Sequence, residues 1–315
     1  MSTSRPPYDP ELELILANRP ADLLLSHESL PTIRAGAGIP PIETIVAGRN
    51  IAIEHFEIPT ADGASIGLSI LRPTDAARTA PAAIFYIHGG GMVAGDRWGG
   101  GETLAGWVER YRVIIGTIEY RLAPEFPAPT PVEDCYAGLQ WFASHATEIG
   151  FDPERLLVAG ASAGGGLAAG TVLLARDRRG PAILAQLLMC PMLDDRNSTI
   201  SAQQFHHTGL WDWESNDFGW RALLGAQWGT DEVSQYSAPA RALDLSGLPP
   251  AYIDVGSADM FRDEDTAYAS RIWAAGGVAD LHVSAGGYHG FEWADAAVSR
   301  NAVATREAWL SRYVG

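Results

Sequence analysis

Short apolar segments rich in β-branched residues alternate with longer amphipathic segments through most of this chain of 315 residues. The short segments have the length of buried strands, and the longer ones have the length and periodicity of helices. Strands that alternate with helices build a mostly parallel sheet flanked by helices, so the pattern predicts an α/β protein. The predicted strands cover residues 82–87, 113–118, 156–160, 184–189, 251–255 and 280–284, and the predicted helices cover residues 102–111, 132–146, 163–177, 263–275 and 295–313.

Two further strands are predicted ahead of this alternation. Residues 51–58 and 65–72 are separated by a turn at Asp62-Gly63, a dipeptide that suits the positive φ angles of a hairpin. We therefore expect an antiparallel hairpin to lead into the parallel sheet. Sheets of this class commonly form a single domain of this size, so we predict one core over residues 51–315.

Two segments break the alternation of strands and helices. Residues 1–50 precede the first strand, and residues 193–247 form a long connection in which aromatic side chains are concentrated. Connections of that length are usually lids or binding loops. We therefore predict that the N-terminal segment and the insertion together form a cap over the sheet.

Charge and composition disfavour several classes of function. The net charge of −16 would repel phosphate backbones and anionic lipid surfaces, so neither nucleic-acid binding nor stable membrane association is expected. Cys135 and Cys190 are too few for a disulfide framework or a thiolate metal site, and we interpret both as buried free thiols. The chain shows no basic and apolar leader and no apolar run of about 18 residues, so we expect a cytoplasmic protein.

The sharpest local motif is Gly-Ala-Ser-Ala-Gly at residues 160–164, which directly follows a predicted strand and directly precedes a predicted helix. A serine on a tight strand-to-helix turn exposes its Oγ, and the flanking glycines are needed because side chains there would clash with the neighbouring strand and helix. A phosphate-binding loop is the alternative, but it would need Gly-Lys-Ser/Thr, and this segment has no lysine. The motif therefore predicts Ser162 as a catalytic nucleophile.

A second glycine-rich motif, His-Gly-Gly-Gly at residues 88–91, follows the predicted strand at 82–87. Consecutive glycines leave their N–H groups uncovered, and such groups can converge on the oxyanion of a tetrahedral intermediate. A flexible loop is the plain alternative, although a loop does not need this sequence at the end of a buried strand. The predicted oxyanion donors are the amides of Gly89, Gly90, Gly91 and Ala163.

A nucleophilic serine needs a base, and the base needs a carboxylate that fixes its tautomer. Downstream of Ser162, Asp259 follows one predicted strand and His289 follows the next, at the strand ends where open α/β sheets place their sites. We therefore predict a triad of Ser162, His289 as base and Asp259 as the orienting acid.

Rival residues exist for both roles. Asp254 lies inside a strand pattern and Asp263 is placed to open a helix, so each has a structural role without catalysis. Among the histidines, His282 alternates within a strand, while His206 and His207 lie in the aromatic insertion and are better suited to shaping a pocket. Asp259 has closer rivals than His289 does.

Five motifs, in this order and with matching separation, resemble the hormone-sensitive-lipase-like family of bacterial-type carboxylesterases, a branch of the α/β-hydrolase superfamily. They are the sequences His-Gly-Gly-Gly at 88–91, Tyr-Arg-Leu-Ala-Pro-Glu at 120–125, Gly-Ala-Ser-Ala-Gly-Gly at 160–165, Asp-Met-Phe-Arg-Asp-Glu at 259–264 and His-Gly-Phe at 289–291. The resemblance covers roughly residues 50–315. It implies an α/β-hydrolase fold, carboxylesterase activity without a cofactor, usually on short acyl chains, and the triad and oxyanion amides given above.

The chain departs from the family's pattern at two motifs. Ala161 stands where the family often has Asp, and Met260-Phe261 stand where it often has Pro-Leu. Neither change removes a catalytic group. The resemblance also implies that Glu125 belongs to a structural network behind the oxyanion loop, and it makes a homodimer through the strand at 280–284 an alternative to a monomer.

The predicted substrate is a small carboxylic ester, hydrolysed through an acyl-enzyme without a metal. Each candidate pocket ring could instead pack the cap onto the core, but together the rings favour short or aromatic acyl groups over a long lipid channel. Hydrolysis of lactones or amides by the same triad, and a non-catalytic ligand-binding role, stay open as alternatives. The candidate pocket residues are His88, Met92, Val93, Phe205, Trp211, Trp213, Phe218 and Trp220.

Overall fold

The computed structural model describes residues 4–18, 25–35, 40–75 and 81–315, and these build one eight-stranded sheet flanked by helices. The spatial order of the strands is β1-β2-β4-β3-β5-β6-β7-β8. Only the pairs β1–β2 and β2–β4 are antiparallel, so the prediction of a mostly parallel sheet is confirmed. The strands are β1 Ile51–Pro59, β2 Ser65–Pro73, β3 Ala83–Ile87, β4 Ile114–Ile118, β5 Leu156–Ala161, β6 Ala185–Met189, β7 Ala251–Gly256 and β8 Ala279–Ser284.

The helices that flank the sheet begin and end within two residues of the predicted bounds. Among the described residues, five further helices lie in the N-terminal segment and in the insertion, where the sequence pattern indicated none, and a short helix of four residues begins at Ala146. The helices are α1 Pro10–Ala17, α2 Leu30–Ala35, α3 Ile42–Val46, α4 Gly101–Tyr111, α5 Thr130–Ser144, α6 Ala146–Ile149, α7 Ala163–Asp177, α8 Ile200–Gln204, α9 Trp213–Leu224, α10 Arg262–Ala274 and α11 Ala297–Val314.

The central strands are apolar along their whole length because helices cover both faces of the sheet. Every residue of β3, β4, β5, β6 and β7 is buried. Successive side chains of a strand point to opposite faces, so Ile84 belongs to the buried cluster that includes residues of α4 and α11, whereas Phe85 belongs to the cluster that includes residues of α5 and α7. The predicted hairpin is also present, with Gly63 at a φ of 84° between β1 and β2.

The parallel strands bring the predicted motifs to one edge of the sheet. The glycine loop follows β3, the serine motif follows β5, and the loops that carry Asp259 and His289 follow β7 and β8. These are the carboxyl ends of parallel neighbours, where α/β sheets form their sites. The fold therefore places residues that lie far apart in sequence close together in space.

The predicted cap at residues 1–50 lies partly outside the described residues. In the described part, Tyr8 packs edge-on against Tyr288, and His27 packs edge-on against Phe218 of the insertion. Gln204 of the insertion donates a hydrogen bond to the carbonyl of Ser4. The two segments thus contact each other, while their role as a cap stays a prediction.

Three smaller expectations can be compared with the structure. Cys135 and Cys190 are both buried free thiols, as interpreted from the sequence. The strand expected to mediate a homodimer is β8, which lies at the edge of the sheet, and the dimer itself stays a prediction. Within the described ranges, no helix is both long enough and apolar enough to cross a membrane.

A buried ion pair fixes the C-terminal helix to the sheet. Arg306 of α11 donates from Nε and Nη2 to Oδ2 of Asp254 in β7, at 3.0 and 2.8 Å. Both side chains are about one twentieth exposed, at 5% and 6%. Removing one member of such a pair leaves a buried charge without its partner.

We expect Arg306→Met to lower the free energy of unfolding by about 3–5 kcal/mol, because Asp254 would keep its charge in a buried site. Arg312→Met is the matched control, since Arg312 of the same helix pairs with Asp280 at an exposed position and should cost less than about 1 kcal/mol. Urea denaturation of both variants measures the difference. Equal losses in the two variants would contradict the argument.

Candidate active site

Ser162 lies on a strained turn between β5 and α7. Its φ and ψ are 57° and −123°, a backbone conformation that non-glycine residues rarely adopt and that marks a strand-to-helix elbow. A Cβ on Gly160 would overlap the carbonyl of Gly164, and a Cβ on Gly164 would overlap the carbonyls of Ile87 and His88. The glycines of the motif are therefore required by close contact of three backbone segments.

The structure brings the three predicted triad residues into one hydrogen-bonded chain. His289 Nε2 lies 2.9 Å from Ser162 Oγ, and His289 Nδ1 lies 2.9 Å from Asp259 Oδ2. The other carboxylate oxygen of Asp259 accepts the N–H of Phe261 at 2.9 Å, which fixes the carboxylate plane. All three side chains are buried.

The rival acids and bases have other partners. Asp254 is paired with Arg306, and Asp263 accepts hydrogen bonds from Arg262 and from the backbone of Ser201. Of the histidines, His282 stacks on Tyr252, while His206 and His207 both contact Glu214. Unlike these rival residues, Asp259 and His289 lie in one hydrogen-bonded chain with Ser162.

Two opposing effects act on the imidazole of His289. Burial disfavours its charged form, but the negative charge of Asp259 and the hydrogen bond to it outweigh burial and raise the pKa of His289 above its ordinary value of 6.5. The charge of Glu292 acts in the same direction. A raised pKa makes His289 a stronger proton acceptor, provided that the solution pH keeps it neutral.

The glycine loop passes directly over the serine. A Cβ on Gly89 would lie 2.9 Å from the carbonyl oxygen of Ala161 and 3.3 Å from the Cβ of Ser162. Gly90 and Gly91 have φ angles of 116° and 62°, and the carbonyl of Gly90 accepts the N–H groups of Val93 and Ala94. In the part of the chain that the structure describes, the N–H groups of the three glycines and of Ala163 donate to no other residue.

His88 lies behind this loop. Its Nδ1 is 2.8 Å from the carbonyl oxygen of Gly89, its ring stacks on Tyr120 at 4.2 Å, and the Tyr120 hydroxyl donates to the His88 carbonyl. Burial lowers the pKa of His88 to about 4, so the imidazole is neutral near pH 7 and donates from Nδ1. His88, assigned to the pocket from sequence, instead supports the loop from its inner side.

Trp211 is the predicted pocket residue that the structure places at the triad. Its ring centre is 6.3 Å from that of His289, and a Cβ on Gly91 would overlap the ring. Its indole N–H donates to Asn216 Oδ1 at 3.1 Å, which fixes the ring over the loop. Asn216 gave no signal in the sequence, because its role depends on the ring that it holds.

The other predicted pocket residues are mainly packing residues in the described structure. Met92, Val93, Phe205 and Trp220 are at most 1% exposed. Trp213 stacks on His206, and Phe218 packs on His27. Phe261, noted in the sequence only as a departure from the family's pattern, packs edge-on against His289 with ring centres 5.0 Å apart.

Glu264, which the sequence offered only as the last residue of the motif at 259–264, links the acid loop to the insertion. It is buried and accepts the N–H groups of Leu193 and Asp194, where the chain leaves the sheet after β6. Burial raises its pKa well above the ordinary range, although these two hydrogen bonds act in the opposite direction. Glu264 therefore sets where the insertion starts relative to Asp259.

Two groups of side chains among the described residues have metal-ligand spacing. The first consists of Cys190, Asp259 and His289. Burial raises the pKa of the Cys190 thiol well above its usual range, which disfavours the thiolate that a metal requires. The second consists of His207, Asp212 and Glu214, whose carboxylates already accept backbone N–H groups.

Comparison with known proteins assigns the family. Residues 84–293 match the family described as the alpha/beta hydrolase fold. The chain belongs to this family. Fold and family resemblance predicted from the sequence are thereby confirmed.

Several known proteins are similar in sequence to a large part of this chain. Esterase LipI of Mycobacterium tuberculosis is 35% identical over 217 residues, which are 66% of this chain and 65% of LipI. Carboxylic ester hydrolase LipN of the same organism is 33% identical over 298 residues, 90% of this chain and 76% of LipN. The solved structure of a bacterial heroin esterase is 36% identical with a TM-score of 0.91, and the match covers 98% of each chain.

We expect Asp259→Asn to lower the pKa of His289, because burial would then act without the carboxylate charge that opposes it. The pKa can be measured by NMR titration of the imidazole signals. Asp263→Asn is the control, since Asp263 is paired with Arg262 and should leave the His289 titration unchanged. A His289 pKa that is the same in Asp259→Asn and in the wild type would contradict the assignment.

Proposed function

We propose that the protein is a carboxylic ester hydrolase in which Ser162 is the nucleophile, His289 the general base and Asp259 the orienting acid. The observation that carries the proposal is the position of His289, within 2.9 Å of both Ser162 Oγ and Asp259 Oδ2. The relatives named esterase, carboxylic ester hydrolase and heroin esterase support the same reaction class.

In the proposed reaction, His289 Nε2 accepts the Ser162 hydroxyl proton as Oγ attacks the ester carbonyl. The tetrahedral intermediate collapses when His289 returns the proton to the leaving alcohol, and an acyl-enzyme remains on Ser162. Water then attacks the acyl group with His289 again as base, which releases the acid and restores the serine. Asp259 stabilises the imidazolium that forms in each half-reaction.

The negative oxygen of each intermediate would be bound by the N–H groups of the glycine loop and of Ala163, which donate to none of the described residues. Support for this role comes from the position of Gly89 against Ser162 and from the helix N-terminus at Ala163, which favours negative charge. Such donors act strongly because they are fixed in place before the charge develops.

The site favours small acyl groups. Trp211 lies against Gly91 and faces His289, so a bulky ring limits the space beside the reacting carbonyl. The fixed indole also offers a flat apolar surface to an aromatic acyl group. We therefore propose short-chain or aromatic carboxylic esters as the substrate class.

The same triad would also suit a lactone or an amide, and the relatives' names favour esters over both. A non-catalytic binding protein would not need the base. Here the imidazole is present and hydrogen-bonded to the serine, which favours an enzyme.

We expect Ser162→Ala to lower kcat for p-nitrophenyl butyrate by about a millionfold, because the triad acts as a unit. A fluorophosphonate probe should label the wild type and not the variant. Ser311→Ala is the control, since Ser311 lies in α11 and its exposed Oγ donates only to the Ala308 carbonyl of the same helix. A folded Ser162→Ala variant with appreciable turnover would overturn the assignment.

We expect p-nitrophenyl esters to be hydrolysed fastest when the acyl chain is short, and Trp211→Ala to shift this optimum toward longer chains by opening space beside the triad. Trp213→Ala is the control, because Trp213 stacks on His206. A wild-type optimum at decanoate or longer would contradict the proposed substrate class.

A further inference from the structure

One arginine of the N-terminal segment reaches the loops that flank the proposed oxyanion hole. Arg34 lies in α2, and its Nε donates to the carbonyl of Val93 at 2.7 Å. Its Nη2 donates to the carbonyl of Ala123 at 2.8 Å. The same guanidinium holds both carboxylate oxygens of Glu125 at 2.8 Å each.

The two carbonyls belong to loops that are also bonded to each other. Ala123 N–H donates to the Met92 carbonyl at 3.0 Å, and Val93 N–H donates back to the Gly90 carbonyl at 3.1 Å. Arg34, Val93, Met92 and Ala123 therefore form a closed ring of contacts, and Val93 links this ring to Gly90 of the proposed oxyanion loop. The N–H of Ala123 thus binds the carbonyl of Met92, and Arg34 binds the carbonyl of the next residue, Val93.

The chemistry of the contact requires an arginine. Val93 and Ala123 are fully buried, so their carbonyls need donors from the protein. A planar guanidinium presents several N–H groups in fixed directions and can serve two carbonyls and a carboxylate at once. The Arg34 side chain is 29% exposed, so it lies at the rim of the protein, behind the loop.

We propose that Arg34 is a positioning residue for the oxyanion loop, so that the N-terminal segment completes the hole from outside the hydrolase core. This inference rests on the proposed function. It assigns the segment a part in transition-state stabilisation that is separate from covering the substrate. The alternative is that Arg34 and Glu125 form an ion pair that only attaches the segment to the surface.

The two possibilities affect different kinetic constants. A displaced oxyanion loop weakens stabilisation of the intermediates in both acylation and deacylation, so kcat falls whichever half-reaction is slower. A loosened cap alone changes substrate binding, which raises KM and leaves kcat in place. Misplacing reacting groups by about 1 Å can cost about a hundredfold in rate.

The experiment compares steady-state hydrolysis of p-nitrophenyl butyrate by the full-length wild type and Arg34→Met, with melting temperatures as the check on folding. We expect kcat to fall at least about tenfold, with KM changed less than about threefold. The affinity for an aliphatic trifluoromethyl ketone, which forms a tetrahedral oxyanion on the serine, should fall by the same factor as kcat/KM.

Three further variants make the result specific. Arg178→Met removes an arginine that binds both carboxylate oxygens of Glu133 far from the loop, so it should keep wild-type kinetics. Glu125→Gln leaves the Arg34 contacts to the two carbonyls in place and should change kcat less than Arg34→Met does. Arg34→Lys keeps the charge but cannot serve both carbonyls, so it should lose kcat as well, and it tests the proposal if Arg34→Met does not fold.

Each outcome decides between the possibilities. Unchanged kcat in folded Arg34 variants, an effect on KM alone, or an equal loss in Glu125→Gln would overturn the positioning role. A wild type that neither hydrolyses esters nor reacts with a fluorophosphonate would instead refute the proposed function itself.

Discussion

The strained turn at Ser162 is the constraint on which the rest of the site depends. A φ of 57° at this residue turns the chain from β5 into α7, and the backbones around the turn lie in close contact. Gly160 meets Gly164, and Gly164 meets the end of β3 at Ile87 and His88. The proposed nucleophile and the proposed oxyanion loop are therefore positioned by one packing arrangement, which explains why their glycine-rich motifs occur together.

Most of the fold and of the candidate site was predicted from local sequence motifs. The strand-turn-helix context of Ser162 and the glycines after β3 are each contained in a few adjacent residues, so residue type alone indicates the backbone they need. The strand bounds were predictable because five central strands are buried on both faces. Short helices were not, because α2, α3 and α8 have six residues or fewer and show no helical period.

Contacts between distant parts of the chain could not be predicted. The strand pattern indicated a structural role for Asp254, but not its partner Arg306, which is 52 positions away and pairs with it only in the folded chain. The contact of Arg34 with the Val93 carbonyl spans 59 positions. Neither arginine stands in a motif, and periodicity cannot identify a side chain whose partner is a backbone carbonyl in another loop.

The neutral histidine behind the glycine loop has a consequence for the folded chain in acid. Burial lowers the pKa of His88 from 6.5 to about 4. Between these two pH values the imidazole is protonated in the unfolded chain and neutral in the folded chain. Stability contributed by His88 is therefore complete above about pH 6.5 and declines as the pH falls toward 4. The histidine that supports the proposed oxyanion loop therefore makes this part of the fold less stable in acid.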